Sequence, residues 1–376
     1  MSINAQSGVF SFAPQTAKNG GSTSADFNVG AATWYRFRTP SISGGGTQMQ
    51  QMMPLEMGGP LVPSGVYKSG AAYASEVELV PRLENTLGYL LYAALGQVTS
   101  ITGNQWTASG AVAATGVNAH IFRFNPTEHA DLPWLSTRYM LPGDQAADRF
   151  GEVSFDTKVS GLQLNIPSMS IITARVGFQG RCFFFPAYGD VAAWTYANSL
   201  EDADTIAITG KGRMLFGGTG PKLTNMTVTL SNNLTSPQQE GIIGSYYADD
   251  ITTLTRSINI RASVKWQNPQ LWKQLMTGST SGVDWSAMPF VAETAGNVKA
   301  LEAVFEAPIN IPGSSKPYTL RIMASRAVMS LDRGTIQLRA GDLVQFNVNI
   351  DILEPLPGQD YVQIVLENGA TSYTWS

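Results

Sequence analysis

The feature that most constrains this chain is an internal repeat. The segment Gly161-Leu162-Gln163-Leu164-Asn165-Ile166-Pro167-Ser168-Met169 has the rhythm of Thr335-Ile336-Gln337-Leu338-Arg339-Ala340-Gly341-Asp342-Leu343. Each alternates apolar and polar residues and then turns, as a strand with one buried face does. A second alternating run follows in each copy, at 171–178 and 344–352. Aligned without gaps, Gln163 falls on Gln337, Leu164 on Leu338 and Val176 on Ile350. Upstream, Leu79-Val80-Pro81-Arg82-Leu83 leads into leucines at helical spacing that end at Gly96. Trp266-Gln267-Asn268-Pro269 leads into Leu271 and Leu275 and ends at Gly278. Pro near entry and Gly at exit punctuate a helix. The helices match at a slightly larger offset than the final strands. Duplication explains the pattern; chance likeness of two β-rich segments is the alternative.

A chain of 376 residues suits two domains, each with its own core. The expected order is an arm at 1–32, a first domain at 33–185, a linker at 186–221, a second domain at 222–354 and a tail at 355–376. Each domain reads as strands, one helix, then strands: a mainly β fold with minor α, built as a small sandwich or half-open barrel. The Gly-, Thr- and Ala-rich stretch 97–118 reads as a loop, and the island Val9-Phe10-Ser11-Phe12 as part of an arm that docks on a neighbour.

One stretch is unusual for a connection. Residues 43–70 hold Gly44-Gly45-Gly46, then Met49, Met52, Met53, Leu55 and Met57, then Gly58-Gly59-Pro60. Loops of this length are functional or disordered. Flexible thioethers suit a surface that adapts to a partner, so the methionines and Leu55 are candidate assembly residues. A flap folded on its own domain is the other reading.

Composition bears on partners. Charged residues make up 14% of the chain, well below the roughly 25% of an ordinary soluble domain. Interface cores are depleted in charge, so an assembly and a neutral-surfaced β protein both fit. The net charge of −4 opposes electrostatic nucleic-acid binding, which needs clustered Lys and Arg. The single cysteine, Cys182, cannot form an intrachain disulfide. The N-terminus lacks a signal-peptide pattern, and the most apolar helix is too short to span a bilayer, so no membrane role is expected.

No catalytic constellation stands out. His120 and His129 are the histidines, without a second His or Cys at metal-ligand spacing. Asp144, Asp148, Glu152 and Asp156 recur at helical spacing, yet Phe150-Gly151 and Val153-Ser154-Phe155 read as turn and strand. Gly210-Lys211-Gly212 lacks the rest of a phosphate loop. The expectation is no enzyme, no cofactor and no metal.

The chain resembles the tail tube proteins of bacteriophages with long non-contractile tails, of the type in which two tube domains are fused. The likeness is carried by Glu78-Leu79-Val80-Pro81-Arg82-Leu83-Glu84-Asn85-Thr86-Leu87-Gly88-Tyr89-Leu90-Leu91-Tyr92, by 223–233, and by Ser263-Val264-Lys265-Trp266-Gln267-Asn268-Pro269-Gln270-Leu271-Trp272. It covers about 34–355 as a pattern, not as an invariant motif. The resemblance implies a β-sandwich with one helix per domain, and three chains forming a ring of near-sixfold shape. Rings would stack into a hollow tube in the virion tail, made in the host cytoplasm, that passes DNA without binding it specifically. Partners would be the protein itself, a tape measure protein and other tail proteins. A long hairpin loop before the helix-leading strand would contact neighbours, at 43–70 and again at 235–255. The first of these is Gly-, Met- and Pro-rich, a departure from a plain hairpin. Asp249 and Asp250 are candidates for lining a lumen that must not retain DNA. The alternative reading is a two-domain β-sandwich adhesin or receptor-binding tail component.

Overall fold

The computed structural model describes residues 8–15, 17–18, 33–54, 57, 59, 62–63, 65–84, 86–124, 132–143, 148–196, 205–218, 220–265, 270, 273, 298–331 and 344–373. The described strands of the first half are β1 (Val9–Pro14), β2 (Tyr35–Phe37), β3 (Ser41–Met52), β4 (Val66–Leu79), β5 (Gln97–Thr107), β6 (Gly110–Phe124), β7 (Leu135–Leu141), β8 (Phe150–Pro167) and β9 (Thr173–Phe184). Helix α1 (Thr86–Leu95) follows β4, and a short α2 (Tyr188–Ala192) follows β9. The second half adds β10 (Ile208–Phe216), β11 (Leu223–Leu234), β12 (Thr253–Lys265), β13 (Val298–Asn310), β14 (Pro317–Leu331), β15 (Gln345–Ile352) and β16 (Val362–Asn368). The strands join antiparallel into one sheet that folds over its core as a β-sandwich.

The repeat is visible in the pairing. Hairpin β3–β4 gives its second strand to β9, which pairs with β8. Hairpin β11–β12 gives its second strand to β15, which pairs with β14. Val176, aligned by sequence with Ile350, faces Val77 of β4, and Ile350 faces Ile260 of β12. The order β3-β4-β9-β8 thus returns as β11-β12-β15-β14. The halves are joined where β8 meets β11, with Leu164 opposite Val228 and Leu162 opposite Leu230. Alternation drives this seam: these four residues are buried on one face, while Gln163, Asn165, Thr227 and Thr229 point the other way.

Helix α1 fills the first half. Leu83, Leu87, Leu90, Leu91 and Ala94 are buried, at the spacing of one helical face. The helix ends at Gly96, whose φ of +84° suits glycine and whose N–H bonds Tyr92 O at 2.7 Å. Its last carbonyls are capped from the second half. Asn232 Nδ2 bonds Ala94 O at 2.8 Å, and Arg256 Nη2 bonds Ala94 O and Leu95 O at 3.0 Å each. The matching helix expected at 266–278 lies outside the described residues except Gln270 and Lys273, which are helical.

Four segments differ from the sequence reading. Residues 97–118 belong to a hairpin, β5–β6, whose small residues are half exposed and whose register shifts between Thr102 and Asn104. The 43–70 stretch holds parts of β3 and β4, the hairpin the resemblance implied, rather than an irregular Gly-, Met- and Pro-rich loop. The linker contains β10, paired with β13. The apolar island of the arm is β1, and it docks on its own chain between β2 and β7 with Phe10 and Phe12 buried.

Candidate assembly surface

The two matching hairpins approach each other. The loop at 235–252 lies against the base of the β3–β4 extension: Ala71 N–H bonds Tyr246 O at 2.8 Å, and Gln238 Nε2 reaches Met49 Sδ at 3.7 Å. First-half side chains hold this loop by its carbonyls. Arg181 Nε bonds Ala248 O at 2.8 Å and Lys158 Nζ bonds Ile251 O at 2.8 Å. Gln179 Nε2 bonds Thr235 O at 2.6 Å, and Lys18 Nζ bonds Asp249 O at 3.0 Å. Arg181 is itself fixed by the buried Asp156 at 2.5 Å. Charge-assisted bonds to backbone oxygens position a loop firmly without any repeating secondary structure.

Beyond these anchors the surface is apolar and open. Met57 and Ile243 are fully exposed, and Met52, Val62, Val66, Tyr67 and Tyr246 are also exposed. Exposed large apolar residues gathered on a few loops make this a candidate interaction surface. Of the sequence candidates, Met49 and Met53 are half-buried and Met52 and Met57 exposed, while Leu55 lies outside the described residues. Tyr67 lies within 43–70, and Ile243 and Tyr246 within 235–255, the two loops the resemblance pointed to, though none of the three was singled out by residue. The signal was the run Ile242-Ile243-Gly244-Ser245-Tyr246-Tyr247, too bulky for a solvated turn.

A second element is an open edge. Strand β11 gives one edge to β12 and the other to β8. Strand β3 holds the same place in the first half, yet β4 is its only strand partner among the described residues. A free edge presents unpaired N–H and C=O groups to another chain.

A third element is the polar face of the sheet that spans both halves. Gln163, Asn165, Thr227, Thr229, Asn347 and Asn349 are on it. Among the described residues it carries the carboxylates Glu76, Glu78 and Asp351 and the cations Arg175, Arg261 and Lys265, and Arg175 bonds both Glu76 and Glu78. The Arg175 hydrogen bond, more than its charge alone, holds the Glu78 carboxyl below its usual range. Asp249 is exposed at the loop beside the anchors. Asp250 pairs with Lys18 at 3.4 Å; burial works against its charge, but the Ile251 N–H and Lys18 outweigh it and lower its pKa.

The remaining titratable candidates sit in packing roles. His120 is buried, with Nδ1 2.8 Å from Ser100 Oγ and Nε2 within 3.1 Å of Asn368 Oδ1 and Ala370 O. Burial depresses its pKa. Cys182 is buried, and desolvation, with Asp156 nearby, pushes its thiol up to about 12. Glu152 and Asp156 are buried on β8 rather than aligned on a helix; Asp144 and His129 lie outside the described residues. Among the described residues no group of three or more His, Cys, Asp or Glu could hold a metal ion, and no helix is long and apolar enough to cross a membrane.

An antiparallel β-sandwich whose strand order recurs, with an exposed strand edge and exposed apolar loops, has the features of a structural assembly protein rather than those of a catalytic site. The family model for phage tail tube protein matches residues 63–325, and the chain belongs to that family. Among curated proteins none matches the chain significantly. Membership makes it a structural component of the virion tail that assembles with itself and with other tail proteins.

Proposed function

We propose that three copies close into a ring by strand pairing, and that rings stack into the hollow tube through which DNA leaves the capsid. The observation that carries this is the β8–β11 seam. Within one chain, the first half already offers an edge to the hairpin of the second. Because β3 repeats the place of β11, the hairpin of the first half can accept a strand of another chain at the position that β8 fills for β11. A head-to-tail contact of this kind closes a ring when its rotation permits. Two similar halves per chain then give a threefold ring near-sixfold features.

In this reading the polar face lines the bore. Amides and hydroxyls offer no fixed positive charge, and carboxylates accompany the cations there, so phosphate gains no counterion-release affinity. Asp249 and Asp250 stand as further candidates at the margin of that bore. Met49, Met52, Met53, Leu55 and Met57 belong to the contact between subunits or rings. The domain boundaries near 185 and 222 mark the duplication. A tape measure protein would occupy the bore before DNA does, and synthesis takes place in the host cytoplasm. Electron microscopy of purified protein tests the proposal. Class averages should show threefold rings or tubes with six similar lobes; a strict monomer at high concentration, or a basic inner wall, would refute it.

A further inference from the structure

The open edge of β3 is not bare. Gly46 N–H, which β4 does not take, donates to Glu152 Oε1, and Glu152 Oε2 accepts the Tyr139 hydroxyl at 2.5 Å. Glu152 is 3% exposed, and no Lys or Arg among the described residues pairs with it. A carboxylate buried without a cation is unfavourable unless its oxygens are hydrogen-bonded. Here a strand amide and a phenol supply those bonds.

The glycine run is shaped to this contact. Gly44 and Gly45 have φ of +87° and +148°. A Cβ on Gly46 would lie 2.2 Å from the Phe183 ring, and one on Gly45 would lie 3.0 Å from Glu152 Oε2. A side chain at 46 would clash with the Phe183 ring, and one at 45 would crowd the Glu152 carboxylate. Inward-pointing charges and kinks are devices by which proteins blunt an edge strand that would otherwise pair too early.

We propose that Glu152 guards the assembly edge: its carboxylate holds an outward amide of β3 in the free subunit and withdraws when a strand of a second copy pairs there. This rests on the ring reading above and specifies what restrains it. The guard slows nucleation. It keeps newly made subunits apart until an initiating surface aligns the incoming strand.

The test uses the full chain. Glu152→Gln keeps the shape and an acceptor for Gly46 but loses the charge-assisted bond; Tyr139→Phe weakens the carboxylate's placement from the other side. Both should shorten the lag of spontaneous polymerisation, read by light scattering, with Glu152→Gln doing so by about tenfold or more, the scale of one charge-assisted hydrogen bond. In the monomer, Gly46 amide exchange should quicken in Glu152→Gln. Wild-type polymerisation with an unchanged or longer lag in both variants overturns the guard alone, even if the melting temperature falls. Absence of polymer in the wild type and in both variants alike overturns the ring reading and the guard with it.

Discussion

Replacing Arg256 by Met should loosen the first half of the protein, although Arg256 lies in the second. Its guanidinium caps the last carbonyls of α1, bonds Asn232 Oδ1 at 2.9 Å and lies 4.9 Å from the Phe124 ring centroid. Burial lowers its pKa to about 10, a sign of how much water it has given up. Hydrogen bonds from a charged donor contribute about 1.5–3 kcal/mol each, so the two to α1 contribute about 3–6 kcal/mol. Against this, Nη1 is buried without a partner, which costs about 1–3 kcal/mol. Methionine keeps the apolar stem and fills most of the space, but leaves Leu95 O without its charged donor. The expected net loss is about 2–4 kcal/mol, within the range for breaking a buried polar network. Urea unfolding measures the total, and hydrogen exchange localises it: amides in the last turn of α1 should exchange faster while those of β13 change little. A loss under about 1 kcal/mol, or exchange that quickens uniformly, would refute the reasoning that the cap is a distinct energetic link between the halves.

Other expectations concern separate sites. With its thiol raised to about 12 and buried, Cys182 should resist alkylation at pH 8 in the native protein and react once it is unfolded; mass spectrometry reads both states. His120 has a folded pKa below its ordinary value near 6.5, so its contribution is fully present above that value and is lost as pH falls below it toward the folded pKa. Stability measured between pH 7.5 and 5.5 should therefore decline less in His120→Gln than in the wild type. Joining β3 to β4 by a short Gly/Ser turn in place of 53–65 should leave a folded subunit by circular dichroism that no longer polymerises, because Met57 and Val62 are removed from the contact surface.

What could be read from the chain alone was local and periodic. Leu83, Leu87, Leu90 and Leu91 announced α1 because their spacing matches one turn, and Leu162, Leu164 and Ile166 announced the core face of β8 because they alternate. The β5–β6 hairpin escaped for the same physical reason in reverse. Gly103, Gly110 and Gly116 adopt positive φ, a bulge breaks the alternation, and the small side chains between them show no buried stripe. Gly210-Lys211-Gly212 hid β10 likewise: Gly212 is small because the Phe305 ring lies against its backbone. The methionines drew attention to one exposed hairpin, but the approach of the 235–252 loop to it, with Ala71 N–H bonding Tyr246 O, is made only by the fold. Glu152 carried no legible signal, since its meaning depends on the glycines it touches across the sheet.

Strand β16 has a consequence for how the molecule comes into being. It lies between β6 and β14, with Val362 opposite both Phe124 and Ala324. On a ribosome the N-terminal portion emerges well before residue 362, so β6 waits with an unfilled side while more than half the polypeptide is still being made. Closure over so long a separation is slow. Successful maturation therefore has a late checkpoint, and a chaperone that shields the β6 side during translation would have its greatest effect there. Releasing nascent chains stalled before and after residue 368 and comparing their protease resistance would locate that moment.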